Sequence, residues 1–129
     1  MANDFDCPCG SKKLYTDCCG RYLDNNEILP RTAEELMRSR YTAYVLRRES
    51  YLLSTWHDET RPVALDLADD NKTKWIRLEV IKHVQCDDDH AVVEFIAYYK
   101  INGRMHKLRE NSQFVRINSC WFYFGALNN

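Results

Sequence analysis

The sequence predicts an α+β fold in which helices come first and an antiparallel sheet follows, with a small cysteine-held knuckle at the N-terminus. Three observations predict it. Four of the six cysteines, Cys7, Cys9, Cys18 and Cys19, fall within the first nineteen residues. Apolar residues recur at helical spacings from Leu36 to Val45, and then at a spacing of two from Lys74 onward. Asn102-Gly103 is a strong signal for a two-residue hairpin inside the alternating region. The 129 residues suit one ordinary domain with a small appendage, enough for a core that does not depend on a metal.

The knuckle is read from Cys7-Pro8-Cys9-Gly10 and Cys18-Cys19, a Cys-x-Cys pair, eight residues, and a second pair. Each pair offers two thiolates from neighbouring positions, and the loop lets the pairs converge. Four soft sulfur ligands suit Zn²⁺ in a closed tetrahedral site, one ion per chain. No position is left open for water, so the ion would be structural. The competing reading is disulfides. A bond between vicinal Cys18 and Cys19 is strained, and cross-pairing to Cys7 and Cys9 needs an oxidising compartment. The first six residues lack the basic stretch and apolar core of a signal peptide, so a cytoplasmic chain with reduced thiols is expected. Gly10 permits an unusual backbone angle after the first pair. Lys12, Lys13 and Arg21 place positive charge beside a centre whose four thiolates and Zn²⁺ carry about −2. Cys86 and Cys120 are expected to be buried or half-buried small apolar residues.

The elements follow in order. Residues 24–30 read as a linker. Thr32 and Glu35 form a capping box, the hydroxyl accepting from the third helical amide and the carboxylate reaching back. The helix they open carries Leu36, Met37, Tyr41, Tyr44 and Val45 on one face, with Arg38, Arg40, Arg47 and Arg48 mostly off it. A second helix is expected over Ser50–Trp56, ended before Pro62. Beyond Lys74, Ile76, Leu78 and Val80 alternate with Arg77 and Glu79. Asp87-Asp88-Asp89 turns the chain, and Val93, Phe95, Ala97 and Tyr99 then alternate with Val92, Glu94, Ile96 and Tyr98. After Asn102-Gly103 a long strand of mixed polarity runs from Met105 to Val115. Asn118-Ser119 turns again, and Trp121–Phe124 closes a meander of about four strands.

Composition excludes some functions. The formal charge is −1, which argues against binding nucleic acid by counterion release. A basic face would have to be assembled from Lys12, Lys13, Arg21, Arg38, Arg40, Arg47 and Arg48. No apolar run reaches the length of a membrane span.

The stretch CPCGSKKLYTDCCG resembles the SEC-C motif, with Cys7, Cys9, Cys18 and Cys19 at its ligand positions. Lys12 stands where a second glycine is common. Over nearly the whole chain, LMRSRYTAYVL (36–46), YLLSTWH (51–57) with Arg61-Pro62, and Glu110-x-Ser112-x-Phe114 followed by WFYF resemble the YchJ-like (UPF0225) proteins. The resemblance implies an NTF2-like (cystatin-like) cone of helices on a curved sheet. It divides the chain into a zinc-binding motif and linker over 1–28 and an NTF2-like domain over 29–129. Longer relatives carry a second SEC-C motif, which this chain lacks. Arg109 stands where many relatives have a histidine, so a catalytic role does not carry over to it.

Two classes of function are open at this stage. The first is a cytosolic adaptor that docks through its SEC-C motif onto a protein or ribonucleoprotein partner. It is favoured because the one sharp chemical feature is a closed metal site. The second is a small-molecule-binding protein or enzyme with a pocket around Glu110. Arg38, Arg40, Trp56, His57, Arg61, Arg109, Glu110 and Trp121 are its candidate lining residues. Glu110 is expected in an ion pair with Arg38, Arg40 or Arg61, tying helix to sheet.

Overall fold

The structure is a computed structural model of the chain, described here over residues 5–25, 27–70 and 72–127. A short helix, α1 (Gly20–Leu23), closes the knuckle. The long helix α2 (Ala33–Val45) and the short α3 (Glu49–Ser54) follow. Four strands complete the chain: β1 (Thr73–Asp87), β2 (His90–Ile101), β3 (Arg104–Ile117) and β4 (Cys120–Ala126). They pair in sequence order as an antiparallel meander, as the alternating pattern predicts.

Helix α2 starts where the capping box places it. The Thr32 Oγ1 accepts from the Glu35 amide at 3.1 Å. The return bond differs in register: the Glu35 carboxylate accepts from the Arg31 amide at 2.8 Å rather than from the amide of the cap itself. One apolar stripe was expected along this helix, yet its burial runs almost all round, from Ala33 and Leu36 through Ser39, Arg40 and Thr42 to Ala43. The reason is that the sheet covers one side and the knuckle and α3 cover others.

Two of the three two-residue hairpin turns take the left-handed angles that a type I′ turn requires, at Asn102 and Gly103 and again at Asn118 and Ser119, while Asp88 and Asp89 between β1 and β2 do not. In β2 the alternation is regular, with Ala91, Val93, Phe95 and Ala97 all buried. In β1 it is not. The register against β2 slips between Trp75 and Arg77 and again between Val80 and Lys82. Ile76 is the extra residue of the first bulge and faces outward, so Trp75 takes the inward place that strict alternation would give to Ile76. The bulges bend β1 and help curl the sheet.

Cys7, Cys9, Tyr15, Cys18 and Cys19 belong to the same buried cluster as Leu36, Met37, Leu78, Phe95 and Phe114. The apolar packing is therefore continuous from the knuckle into the sheet. Among the described residues no helix is long and apolar enough to cross a membrane.

Candidate metal centre and ligand cavity

The knuckle is a small hairpin pinned on itself. The Cys7 amide donates to the Lys13 carbonyl at 2.9 Å and the Tyr15 amide to the Phe5 carbonyl at 2.8 Å. Phe5 stacks on Tyr15 at 4.9 Å. The turn between them needs two left-handed residues, Gly10 at φ 83° and Lys12 at φ 68°. For a lysine that conformation costs about 1–2 kcal/mol, which is the physical reason a glycine suits position 12. At Gly10 a Cβ would also come within 3.3 Å of the Leu78 carbonyl of β1. Gly20 is tighter still, since a Cβ there would lie 2.7 Å from the Tyr15 carbonyl oxygen. Sequence reading passed over Gly20. Its only signal was its place directly after Cys19.

The hairpin brings all four sulfurs within 4.8 Å of one another, each on a buried side chain. Cys9 and Cys18 are 3.6 Å apart, and Cys18 and Cys19 are 4.0 Å apart. A metal with bonds of about 2.3 Å to four tetrahedral sulfurs requires edges of about 3.8 Å, so the four cysteines fit a metal ion. Ser11 Oγ donates to Cys18 Sγ at 3.1 Å, the kind of outer bond that orients a thiolate ligand. Contacts with Cys19 and Cys9 push the Cys7 thiol far below its ordinary range, and contacts with Cys7 and Cys9, then burial, push Cys19 far above it. Bare thiols this close compete for protons, and a cation would displace them. Outside the cluster, Cys86 is exposed, against the expectation of burial, and Cys120 is half-buried.

Helix α2 joins the knuckle to the sheet. Arg38 donates to the Cys9 carbonyl at 2.7 Å and to Glu34 at 3.0 Å, and Thr42 Oγ1 lies 3.7 Å from Cys7 Sγ. Two residues along from Arg38, Arg40 turns to the other side of the helix and into the core.

A cavity of about 230 Å³ lies there between α2 and the sheet, its walls made mostly by aromatic rings. Arg40 is only 5 % exposed. Its Nη1 donates to the Leu52 carbonyl at 2.7 Å and to Thr55 Oγ1 at 2.8 Å. The guanidinium lies over the Trp56 ring at 4.9 Å and the Tyr123 ring at 4.5 Å, two rings that meet edge to face. Burial pulls its pKa down to about 10, as expected of a cation whose nearest carboxylate is too far to offset desolvation. Glu110 also lines the cavity, but its Oε2 accepts from Tyr123 Oη at 2.9 Å and from Ser112 Oγ at 2.5 Å. The expected ion pair does not form: among the described residues Glu110 has no salt bridge to any arginine. Tyr123 takes both roles instead, its ring beneath Arg40 and its hydroxyl on Glu110.

Of the residues predicted from sequence to line this space, Arg40, Trp56 and Glu110 do so. The other five lie elsewhere. Arg38 serves the knuckle. His57 packs edge-on against Phe124 and hydrogen-bonds the Glu59 amide through Nδ1. Arg61 is exposed. Arg109 pairs with Glu94 across β2 and β3. Trp121 is buried and donates to the Arg31 carbonyl at 3.1 Å. Sequence reading missed Tyr44, Trp75, Leu108 and Tyr123. The i, i+2 spacing of Leu108, Glu110, Ser112 and Phe114 along β3 was the available signal, because alternate residues share a sheet face.

The family model for the YchJ middle NTF2-like domain matches residues 32–126. The chain belongs to the YchJ-like (UPF0225) family. A UPF0225 protein of Ralstonia nicotianae is 49 % identical over 115 residues, 88 % of this chain and 78 % of that one. Another, from Chromobacterium violaceum, is 46 % identical over 127 residues, covering 94 % and 91 %. The solution structure of a SEC-C motif containing protein from Rhodopseudomonas palustris superposes with a TM-score of 0.85 at 31 % identity, over 97 % of this chain and 99 % of that one. A SEC-C motif containing protein from Psychrobacter arcticus gives 0.82, also at 31 %, over 100 % and 88 %. The α+β, NTF2-like fold expected from the resemblance is therefore that of the YchJ-like family, and the four cysteines cluster at the N-terminal end of the chain.

Proposed function

We propose that this YchJ-like protein is a small-molecule-binding protein of the cytoplasm whose N-terminal knuckle holds one structural Zn²⁺. The observation that carries the binding reading is the cavity itself. Arg40 and Glu110 both line one apolar space without neutralising each other. Burying a charge is costly unless it is compensated, and a ligand would supply the compensation. The zinc reading rests on the four-sulfur donor set and on separations that bracket a Zn–S tetrahedron. Reduced thiols in turn suit a cytoplasmic location. The motif over 1–28 and the domain over 29–129 are in this reading two sequence units that fold and unfold as one body, with α2 as the element that both halves grip.

The metal half is tested by elemental composition of reduced, purified protein together with thiol titration. One zinc per chain and two fast-reacting thiols, Cys86 and Cys120, are expected; chelation should raise the reactive count to all six. Six reactive thiols before chelation would count against the ion. The cavity half is tested by thermal-shift screening of small aromatic and aliphatic compounds against the native chain and Leu108→Trp. Leu108 lines the cavity yet is 42 % exposed, so a larger ring there blocks the space with little cost to the core. Stabilising compounds should lose their effect in the variant. Equal shifts in both proteins would place binding elsewhere.

Docking of a protein or ribonucleoprotein partner on the knuckle is the second reading. Phe5, Leu14, Ile28 and Leu29 expose apolar surface in or next to the knuckle, beside the exposed Lys12 and Lys13.

A further inference from the structure

Helix α2 presents a single buried cation to the cavity, and the cavity around it has a definite chemistry. Nη1 of Arg40 is committed to Leu52 and Thr55, while Nε and Nη2 have no hydrogen-bond partner among the described residues. The indole Nε1 of Trp56, another lining residue, is buried and also lacks a partner. A planar guanidinium with two free donor positions matches a carboxylate better than it matches a neutral acceptor.

The rest of the lining narrows the ligand further. Tyr44, Trp75, Phe95 and Phe114 add aromatic and apolar surface that favours a flat ring over a flexible chain. The volume of about 230 Å³ is below the roughly 300–1,000 Å³ of sites for drug-sized molecules. One ring system fits, and a nucleotide does not. Glu110 sets the charge count. Its Oε1 has no partner among the described residues, while its Oε2 is held by Tyr123 and Ser112. A carboxylate there repels a second acid group on the ligand and accepts from a donor.

We propose that the cavity binds a small planar aromatic monocarboxylate, its acid group on Arg40 and a hydroxyl or amine substituent within reach of Glu110. This deepens the small-molecule reading above and rests on it.

The test is calorimetric titration of the full chain with three probes that share a 4-hydroxyphenyl ring: 4-hydroxybenzoate, its near-isosteric amide 4-hydroxybenzamide, and the amine tyramine. The acid should bind at least tenfold more tightly than the amide, and the amine should bind least. Arg40→Met should remove the preference for the acid. Methionine keeps the length of the buried side chain but not its bonds to Leu52 and Thr55, so the fold of this variant is checked by its unfolding midpoint. Leu108→Trp, which leaves Arg40 in place, should abolish binding of all three. If acid and amide bind equally and Leu108→Trp blocks both, the cavity reading stands and the anion assignment is overturned. If the acid binds undiminished to Leu108→Trp, or if no probe binds, the proposal fails together with the cavity reading.

Discussion

Replacing Cys19 with serine is expected to lower the stability of the whole domain by about 4 kcal/mol, the range in which loss of a bound metal falls. The size of the effect follows from where the sulfur lies. Cys19 is 1 % exposed and Cys9 is fully buried, inside the cluster that also contains Leu36, Leu78 and Phe95. Serine coordinates poorly and leaves three thiolates facing an apolar wall. Because Arg38 and Thr42 contact the knuckle from α2, loss of the ion also releases the helix that carries Arg40. Urea unfolding should therefore remain a single transition at a lower midpoint, reported alike by far-ultraviolet circular dichroism and by the fluorescence of Trp75 and Trp121. A sequence boundary at residue 28 suggests the opposite, a knuckle that melts alone above an intact sheet. Two separate transitions, with the second at the wild-type midpoint, would support that division and sink the prediction.

The second large effect is at Glu110. Truncation to alanine removes the acceptor of both Ser112 Oγ and Tyr123 Oη. Ser112 is buried, so its hydroxyl loses its partner without gaining water, and about 2 kcal/mol should be lost. Glu110→Gln keeps an acceptor oxygen and should cost less than half of that. The sequence alone predicted a loss here through an arginine pair. The structure predicts it through two hydroxyls, and the glutamine variant separates the two causes. An ion pair would be broken by glutamine almost as fully as by alanine. Unchanged stability in Glu110→Ala would show that neither set of bonds contributes.

Local chemistry explains what was legible in advance. The cysteine spacing, the Thr32 cap and the Asn102-Gly103 and Asn118-Ser119 turns are properties of a few adjacent residues, and each was read in place. The two alternating sets of β2 were legible for the same reason, since the alternation is unbroken. Ile76 misled because a bulge shifts the count by one, and a bulge is visible only against the partner strand.

Arg40 is the instructive residue. Helical spacing set it mostly off the apolar face, while its distance of two from Arg38 made it a candidate for the cavity, and the spacing could not choose between the two. In the folded chain α3 supplies a carbonyl and a hydroxyl to its guanidinium, and Trp56 and Tyr123 close over it. Those groups come from two segments, residues 52–56 and β4, the second far from Arg40 along the chain. By itself, then, the sequence determined the four-cysteine set of the knuckle, the order of helices and strands and the turns between them, because each depends on residues close along the chain. Only the tertiary structure decided that the knuckle shares one core with the sheet, that Tyr123 rather than an arginine holds Glu110, and that Arg40 rather than Arg38 is the cation buried beside the cavity. Burial and charge pairing are fixed by which distant segments meet, and no local pattern encodes that.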